Sequence, residues 1–387
     1  MSLMGLQSPH LNRKVSPLLQ GAKPEPSPAY AVPREYAFLG YLALVLLIAC
    51  YPQALAQSTL DHIRQTKTLR CGINQETPEY STSDDHGPRQ AFDADICRAV
   101  AIAILGPDAR VIAAPFPDDV TSMEALRGGT VDLLPTLTLD LTHAANAGLA
   151  FSPPILYDGV GFLVPLSAHL THANQLGSKK VCFLAETEVE VAVRAWFAKQ
   201  HLHFVAFPFQ EEGEMEAAFV TGNCAALAGD LTRLAATRVA FGPLAAHYAL
   251  LPEQISKDPL AAASRADDPA FAEIVHWTIE VLLQAEESGL TQHNIAATLS
   301  SSSRSAAEGS ASSSPPDPTI QILTGGTHEI GDRLSLDNAW PTQVIAAVGN
   351  YGEIYTRDLG EKSPLKLPRA LNRLYTQGGL MYALPLK

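Results

Sequence analysis

Apolar and polar positions along the chain alternate between two periods. Short apolar runs at residues 68–73, 111–114 and 131–134 read as buried strands, each bounded by turn residues. Between the first two, Phe92, Ile96, Val100 and Ala103 keep helical spacing. Asp93 and Asp95 fall in that helix's first turn, where the dipole favours negative charge. Thr121 or Ser122 is placed to cap a helix through Leu126, and Gly128 to end it. A polar loop over residues 74–90 carries Tyr80 as its one aromatic. After residues 131–134 the pattern predicts a polar turn over 136–140 and a short Ala-rich helix from about Leu141. Pro153 and Pro154 close that helix. Residues 155–157 and 161–164 then read as one strand broken at Asp158 and Gly159. A strand end that feeds a helix N-terminus offers unpaired backbone N–H groups, which suit an anion.

The pattern restarts after Val164. Strand-like runs at 180–184, 204–207 and 224–227 alternate with a helix lined by Val189, Val193, Trp196 and Phe197 and another carrying Met215 and Phe219. Asp230 follows the last of these strands and is placed to cap a helix over 231–236. Phe271, Ile274, Val275, Thr278 and Leu282 line a long amphipathic helix ending at Gly289. Strand–helix alternation of this kind predicts an α/β protein with largely parallel sheets. Residues 299–319 differ in kind. They are Ser-rich and close on a Pro-rich stretch, a composition that cannot bury a core.

The N-terminal pattern points to export. Residues 37–49 are almost wholly apolar, too short for a comfortable membrane span and suited to a secretory signal. Two exits compete: a small-residue cleavage site at Ala54 to Ala56, and lipidation of Cys50 after Leu47, Ile48 and Ala49. Of five cysteines, four remain once Cys50 leaves with the leader or is lipidated. Cys71, Cys97, Cys182 and Cys224 allow three connectivities, and spacing does not choose among them.

Net charge is −13, and residues 1–50 hold Arg13, Lys14, Lys23 and Arg34 against Glu25 and Glu35. The acidity therefore belongs to the rest of the chain, which repels phosphate backbones and excludes nucleic acid as a partner. The twelve histidines are scattered without metal-ligand spacing, so no metal or other cofactor is expected. No Gly-rich phosphate loop and no nucleophile elbow appears.

The stretch 131–164 resembles the hinge of family 3 solute-binding proteins, which serve polar amino-acid ABC transporters, in particular their general L-amino-acid-binding branch. Residues 70–74 and 92–100 resemble that family's first lobe, and 255–260 its return crossing. The tail from Leu336 to Lys387 is similar to that branch. The resemblance covers about residues 58–298 and 320–387. It implies a two-lobed periplasmic-binding-protein fold of type II, each lobe a mostly parallel sheet flanked by helices, joined by two crossing hinge strands. Lobe one is expected at 58–157 plus 260–387, lobe two at 158–259, and the leader at 1–56. It also favours the pairings Cys71 with Cys97 and Cys182 with Cys224, one in each lobe.

The implied ligand site is Tyr80, Thr138, His143, Glu186, Thr187 and Asp230. Two of these depart from the family. His143 stands where an Arg clamps the ligand carboxylate, and Glu186, Thr187 and Glu188 replace a Gly-Thr-Thr-like loop. Asp230 matches the carboxylate that pairs with the ligand's amine. These substitutions imply weak binding of acidic amino acids and a relative preference for cationic or amine-rich ligands. The resemblance thus implies a monomeric periplasmic binder, not an enzyme, that delivers an amino-acid-like molecule to an ABC permease. Two alternatives are a periplasmic dehydratase of the cyclohexadienyl or arogenate type, with Glu186 or Glu188 as general acid, and a diverged copy that no longer binds.

Overall fold

The computed structural model describes residues 58–74, 92–145, 148–300, 317–326 and 329–386. Cys50, the cleavage site at Ala56, Tyr80 and most of the Ser-rich segment lie outside the described residues. Residues Gln57–Lys387 form one compact unit.

In chain order the first elements are α1 (Thr59–Thr66), β1 (Thr68–Asn74), α2 (Phe92–Leu105), β2 (Arg110–Phe116), α3 (Asp119–Arg127) and β3 (Leu134–Thr138). A single-turn helix α4 (Leu141–Ala144), β4 (Leu149–Asp158) and β5 (Val160–Pro165) lead into the second half. There follow β6 (Lys180–Leu184), α5 (Glu188–Lys199), β7 (Val205–Phe209), α6 (Glu212–Val220), β8 (Ala226–Asp230), α7 (Leu231–Ala240) and β9 (Tyr248–Leu250). The chain returns along β10 (Asp258–Arg265) into α8 (Pro269–Glu287). It finishes with α9 (Pro318–Leu323), α10 (Glu329–Leu334), α11 (Trp340–Val348) and α12 (Tyr351–Asp358).

Strands β1 and β2 pair in parallel, and Leu133, just before β3, forms an isolated parallel bridge with Cys71 of β1. Strands β3, β10 and β4 form an antiparallel sheet. The second half builds one sheet in the order β7-β6-β8-β5-β9. Its β7, β6 and β8 are parallel, and β5 runs antiparallel to β8 and β9. Antiparallel pairing thus enters where the crossing strands join each sheet. The fold is the two-lobed α/β architecture, with helices on the sheets.

Three boundaries differ from the pattern reading, each for a local reason. Helix α3 starts earlier because Asp118, not Thr121, is its cap, accepting from the Thr121 N–H at 2.7 Å. Strand β4 continues through Pro153 and Pro154, where its register against β10 shifts. It is an edge strand, so prolines without an N–H can sit there. Strand β3 covers 134–138, where a polar turn was expected. Its Leu137 is buried while Thr136 and Thr138 are half-exposed, the alternation of a strand between core and cleft.

The largest core packs α2, α8, α11 and α12 around buried Phe92, Phe271, Trp340 and Tyr351. A second packs Phe162, Phe183 and Phe197 on the β5-β6-β8 sheet. Cys71 is bonded to Cys97 with Cα atoms 6.4 Å apart, and Cys182 to Cys224 with Cα atoms 5.8 Å apart. The first ties β1 to α2. The second ties β6 to the segment that leads into β8. Among the described residues no helix is long and apolar enough to cross a membrane.

Between β4 and β5 the chain passes through Gly159 at φ +154°. A Cβ there would lie 2.6 Å from the Ser256 carbonyl oxygen, so only glycine lets the two crossing segments approach. The crossing is cross-linked by short-range bonds. Val160 N–H donates to the Ser256 hydroxyl at 2.8 Å, and Ile255 N–H donates to the Val160 carbonyl at 2.7 Å.

Candidate functional site

A cleft of about 610 Å³ opens beside this crossing. Asp119, Thr136 and Thr138 line it from the β3 side, and Asp158, Asp258 and Leu260 from the crossing strands. Leu184, Val189, Glu212, Asp230, Thr232 and Arg233 line it from the opposite side. Its lining carries five carboxylates, Asp119, Asp158, Glu212, Asp230 and Asp258, and one guanidinium, Arg233.

Each wall follows from local folding. The Thr136 hydroxyl donates to Asp93 at 2.9 Å, which fixes β3 against the first turn of α2. Asp158 ends β4 opposite Asp258 in the β10 register, so strand pairing forces two like charges together. Asp158 is buried and takes bonds from the Thr232 hydroxyl and the Gly159 N–H. Asp230 ends β8 at the N-cap position of α7, yet its side chain makes no cap hydrogen bond. Its carboxyl is pushed up to about 7 by burial, with Asp158, Asp258 and Glu188 adding repulsion. Burial and repulsion from Asp158 and Glu188 likewise raise the Asp258 carboxyl to about 6.

Of the residues expected at the site, Thr138 and Asp230 line this cleft. His143, Glu186 and Thr187 are not among its lining residues. His143 sits on α4 with its Nδ1 2.8 Å from the Asp140 carboxylate, which also accepts the His143 N–H at 2.7 Å. Burial works to raise the Asp140 carboxyl, but hydrogen bonds from the His143 backbone and ring outweigh it and hold it below the ordinary range. The ring is thus engaged by a carboxylate of its own chain.

Glu186 takes a left-handed conformation at φ 60°, and its N–H donates to the Glu190 carboxylate at 2.8 Å. Thr187 is the N-cap of α5, accepting from the Glu190 N–H and donating to the Leu184 carbonyl at 2.8 Å. The Glu186 and Glu190 N–H groups at this helix start thus donate to side chains from the same turn.

Pattern reading missed Arg233, Glu212 and Asp119, and read Asp158 as the break in a hinge strand rather than as part of the cleft lining. Arg233 donates from Nε to Glu212 Oε1 at 2.7 Å and from Nη2 to Oε2. The two are 21 positions apart, on α7 and at the start of α6, and no local spacing joins them.

No family model matches the chain. A putative amino-acid ABC transporter-binding protein of Escherichia coli K12, YhdW, is 35% identical over 349 residues, spanning 89% of this chain and 97% of the relative. The glutamate/glutamine/aspartate/asparagine-binding protein BztA of Rhodobacter capsulatus is 32% identical over 355 residues, 92% of this chain and 100% of the relative. A solved ABC-transporter periplasmic binding protein from Brucella ovis, with glutathione bound, is similar at a TM-score of 0.69 and 32% identity. That match covers 85% of this chain and 99% of the other. Relatives at this identity and coverage place the chain in the family of solute-binding proteins that serve amino-acid ABC transporters.

Proposed function

We propose that the cleft binds an amino acid or related amine-bearing molecule outside the cytoplasm and delivers it to an ABC permease. Lobe one would comprise residues 58–157 and 260–387, and lobe two 158–259. Ligand would draw the two together about the crossing strands, as hinge-bending binders do. The relatives' names support a periplasmic binder rather than a dehydratase. The glutathione in the Brucella ovis protein supports extending the ligand range to small peptides.

One observation carries the reading. Asp230 stands at the start of α7 with its carboxyl committed to no cap bond, in a cleft where carboxylates outnumber the lone guanidinium. An ammonium seated there offsets the burial and the mutual repulsion that raise Asp230 and Asp258. The same charge disfavours simple acidic amino acids. Thr138, half-exposed on β3, supplies a hydroxyl from the facing wall.

Calorimetric titration of the exported protein with neutral, cationic and acidic amino acids tests this. Cationic and neutral ligands are expected to bind, and glutamate and aspartate weakly or not at all. Submicromolar glutamate binding that survives Asp230→Asn refutes the assignment of the cleft. Turnover of prephenate or arogenate by the same preparation would instead establish an enzyme.

A further inference from the structure

We propose that Arg233 is the anchor for a ligand carboxylate in this cleft, and that Glu212 occupies it until ligand arrives. The inference rests on the cleft being the ligand site.

Arg233 is the single cationic side chain among the described residues that line the cleft. Its planar fork already grips one carboxylate there in two-pronged fashion, through Nε and Nη2 to the two oxygens of Glu212. The geometry for carboxylate recognition is therefore assembled in the ligand-free protein. The two side chains are 34% and 33% exposed. An ion pair that wet is worth little net, so exchanging Glu212 for another carboxylate carries a small penalty. Glu212 opens α6, and its release leaves the acid beside that helix's N-terminal dipole, a favourable place for negative charge.

Spacing completes the argument. Asp230 is the N-cap of α7 and Arg233 lies three positions on, a spacing that puts both residues on one face of the turn. Here they carry opposite charges, and Asp230 makes no cap bond. One helix turn thus offers an anion and a cation at neighbouring places on a single wall. The chemical group that matches both is an ammonium and a carboxylate on the same carbon. Arg233 accordingly narrows the ligand class from amines in general to α-amino acids and molecules that present an α-amino-acid end.

Calorimetry with two matched pairs, lysine against cadaverine and arginine against agmatine, isolates the carboxylate. The unmodified protein is expected to bind each amino acid at least about tenfold more tightly than its decarboxylated amine. Arg233→Gln should erase that difference, weakening the amino acids about 30-fold or more while leaving the diamines unchanged or tighter. Glu212→Gln should tighten the amino acids several-fold and leave the diamines unchanged, because it removes the competitor alone. Equal loss for amino acids and amines in Arg233→Gln, or no loss for either, makes the guanidinium a brace between α6 and α7 and overturns the proposal. If Arg233→Gln fails to fold, Glu212→Gln decides alone, and no gain for the amino acids overturns it. Should neither class bind the unmodified protein, the cleft assignment falls first and the anchor with it.

Discussion

Two helices in the second half of the chain start the same way and end up with different chemistry. Both α5 and α7 follow the end of a strand, and both begin beside acidic residues. At α5 the start is closed by its own turn. Thr187 caps it, and Glu190 reaches back to the Glu186 N–H while holding Arg194 at 2.7 Å. At α7 the residue in the cap position, Asp230, makes no cap bond and lines the cleft instead. The difference teaches where to look for ligand. A cap whose side chains satisfy the backbone contributes to stability, whereas one that forgoes its bond holds a charged group in reserve. Glu190 and Asp230 show the same split in their proton affinity. The Glu186 N–H and the Arg194 side chain hold Glu190 low, while burial and three neighbouring acids push Asp230 up to about 7.

Breaking the α7 side should give the largest effect. Asp230→Asn keeps the shape and removes the charge. Loss of an ammonium–carboxylate pair from a closed cleft costs roughly 2–5 kcal/mol, so affinity for amine-bearing ligands should fall about 30-fold or more. The ligand-free melting temperature should not fall, because the charge removed is one that repels Asp158 and Asp258. A variant that binds as tightly as the parent in calorimetry would put the amine elsewhere.

Acidity offers the next test, and its sign follows from the direction of the shifts. Asp230 and Asp258 have folded-state pKa values raised to about 7 and about 6. A carboxyl raised on folding contributes stability that is fully present below its unfolded value of about 4, and loses it as pH rises through the folded value. The ligand-free protein should therefore lose stability from these two groups as pH climbs from about 4 to about 8. Ammonium binding runs the other way, because it needs Asp230 ionised. Affinity should fall by up to about tenfold per pH unit below about 7, and Asp230→Asn should flatten that dependence. Calorimetry across this range checks both slopes. An affinity for neutral amino acids that rises toward acid would point to His143 as the carboxylate holder.

How much of this was legible beforehand depended on the range of the interaction. Periodicity located the strands and most helices, because alternation and 3.6-residue spacing are local. Asp230 was found because it stands where the resembled family keeps the carboxylate that pairs with a ligand amine; its place between strand and helix alone suggested a cap. The expected turn at 136–140 was strand as far as Thr138, since alternating Thr and Leu on a cleft wall look like a polar turn in sequence. Arg233 and Glu212 were illegible because their bond spans 21 positions and exists only once α6 and α7 lie side by side. Asp158 and Asp258 become a repelling pair only through the β4–β10 register. The engagement of His143 by Asp140 was within reach, being three residues long, but the same carboxylate accepts the His143 N–H at the helix start and so resembles an ordinary cap.

The α5 side should respond in stability and not in binding. Thr187→Ala removes the cap oxygen and should cost about 1 kcal/mol, or roughly 2–4 °C in melting temperature for a chain of this class. Amine affinity should stay within about twofold. A large loss of binding with an unchanged melting temperature would transfer Thr187 from scaffold to ligand contact.

The smallest effect is expected at Glu190, and it is the sharpest test of the contrast. Glu190→Ala opens the Glu186 N–H and frees Arg194 without touching the helix's main apolar face, where Val193 and Phe197 are buried. Glu190 is half-buried but its partner Arg194 is exposed, and i, i+4 pairs that reach solvent contribute little, so the melting temperature should move by no more than about 2 °C. If the start of α5 is only scaffold, binding should be unchanged for amino acids and amines alike. If Glu190 instead plugs a site that favours anions, the variant should gain affinity for carboxylate ligands and not for their decarboxylated partners. That selective gain would mean that both helix starts face the ligand and that the chain has closed one of them with its own acid. An unchanged affinity leaves α7, with Asp230 and Arg233 on one turn, as the wall that recognises the ligand.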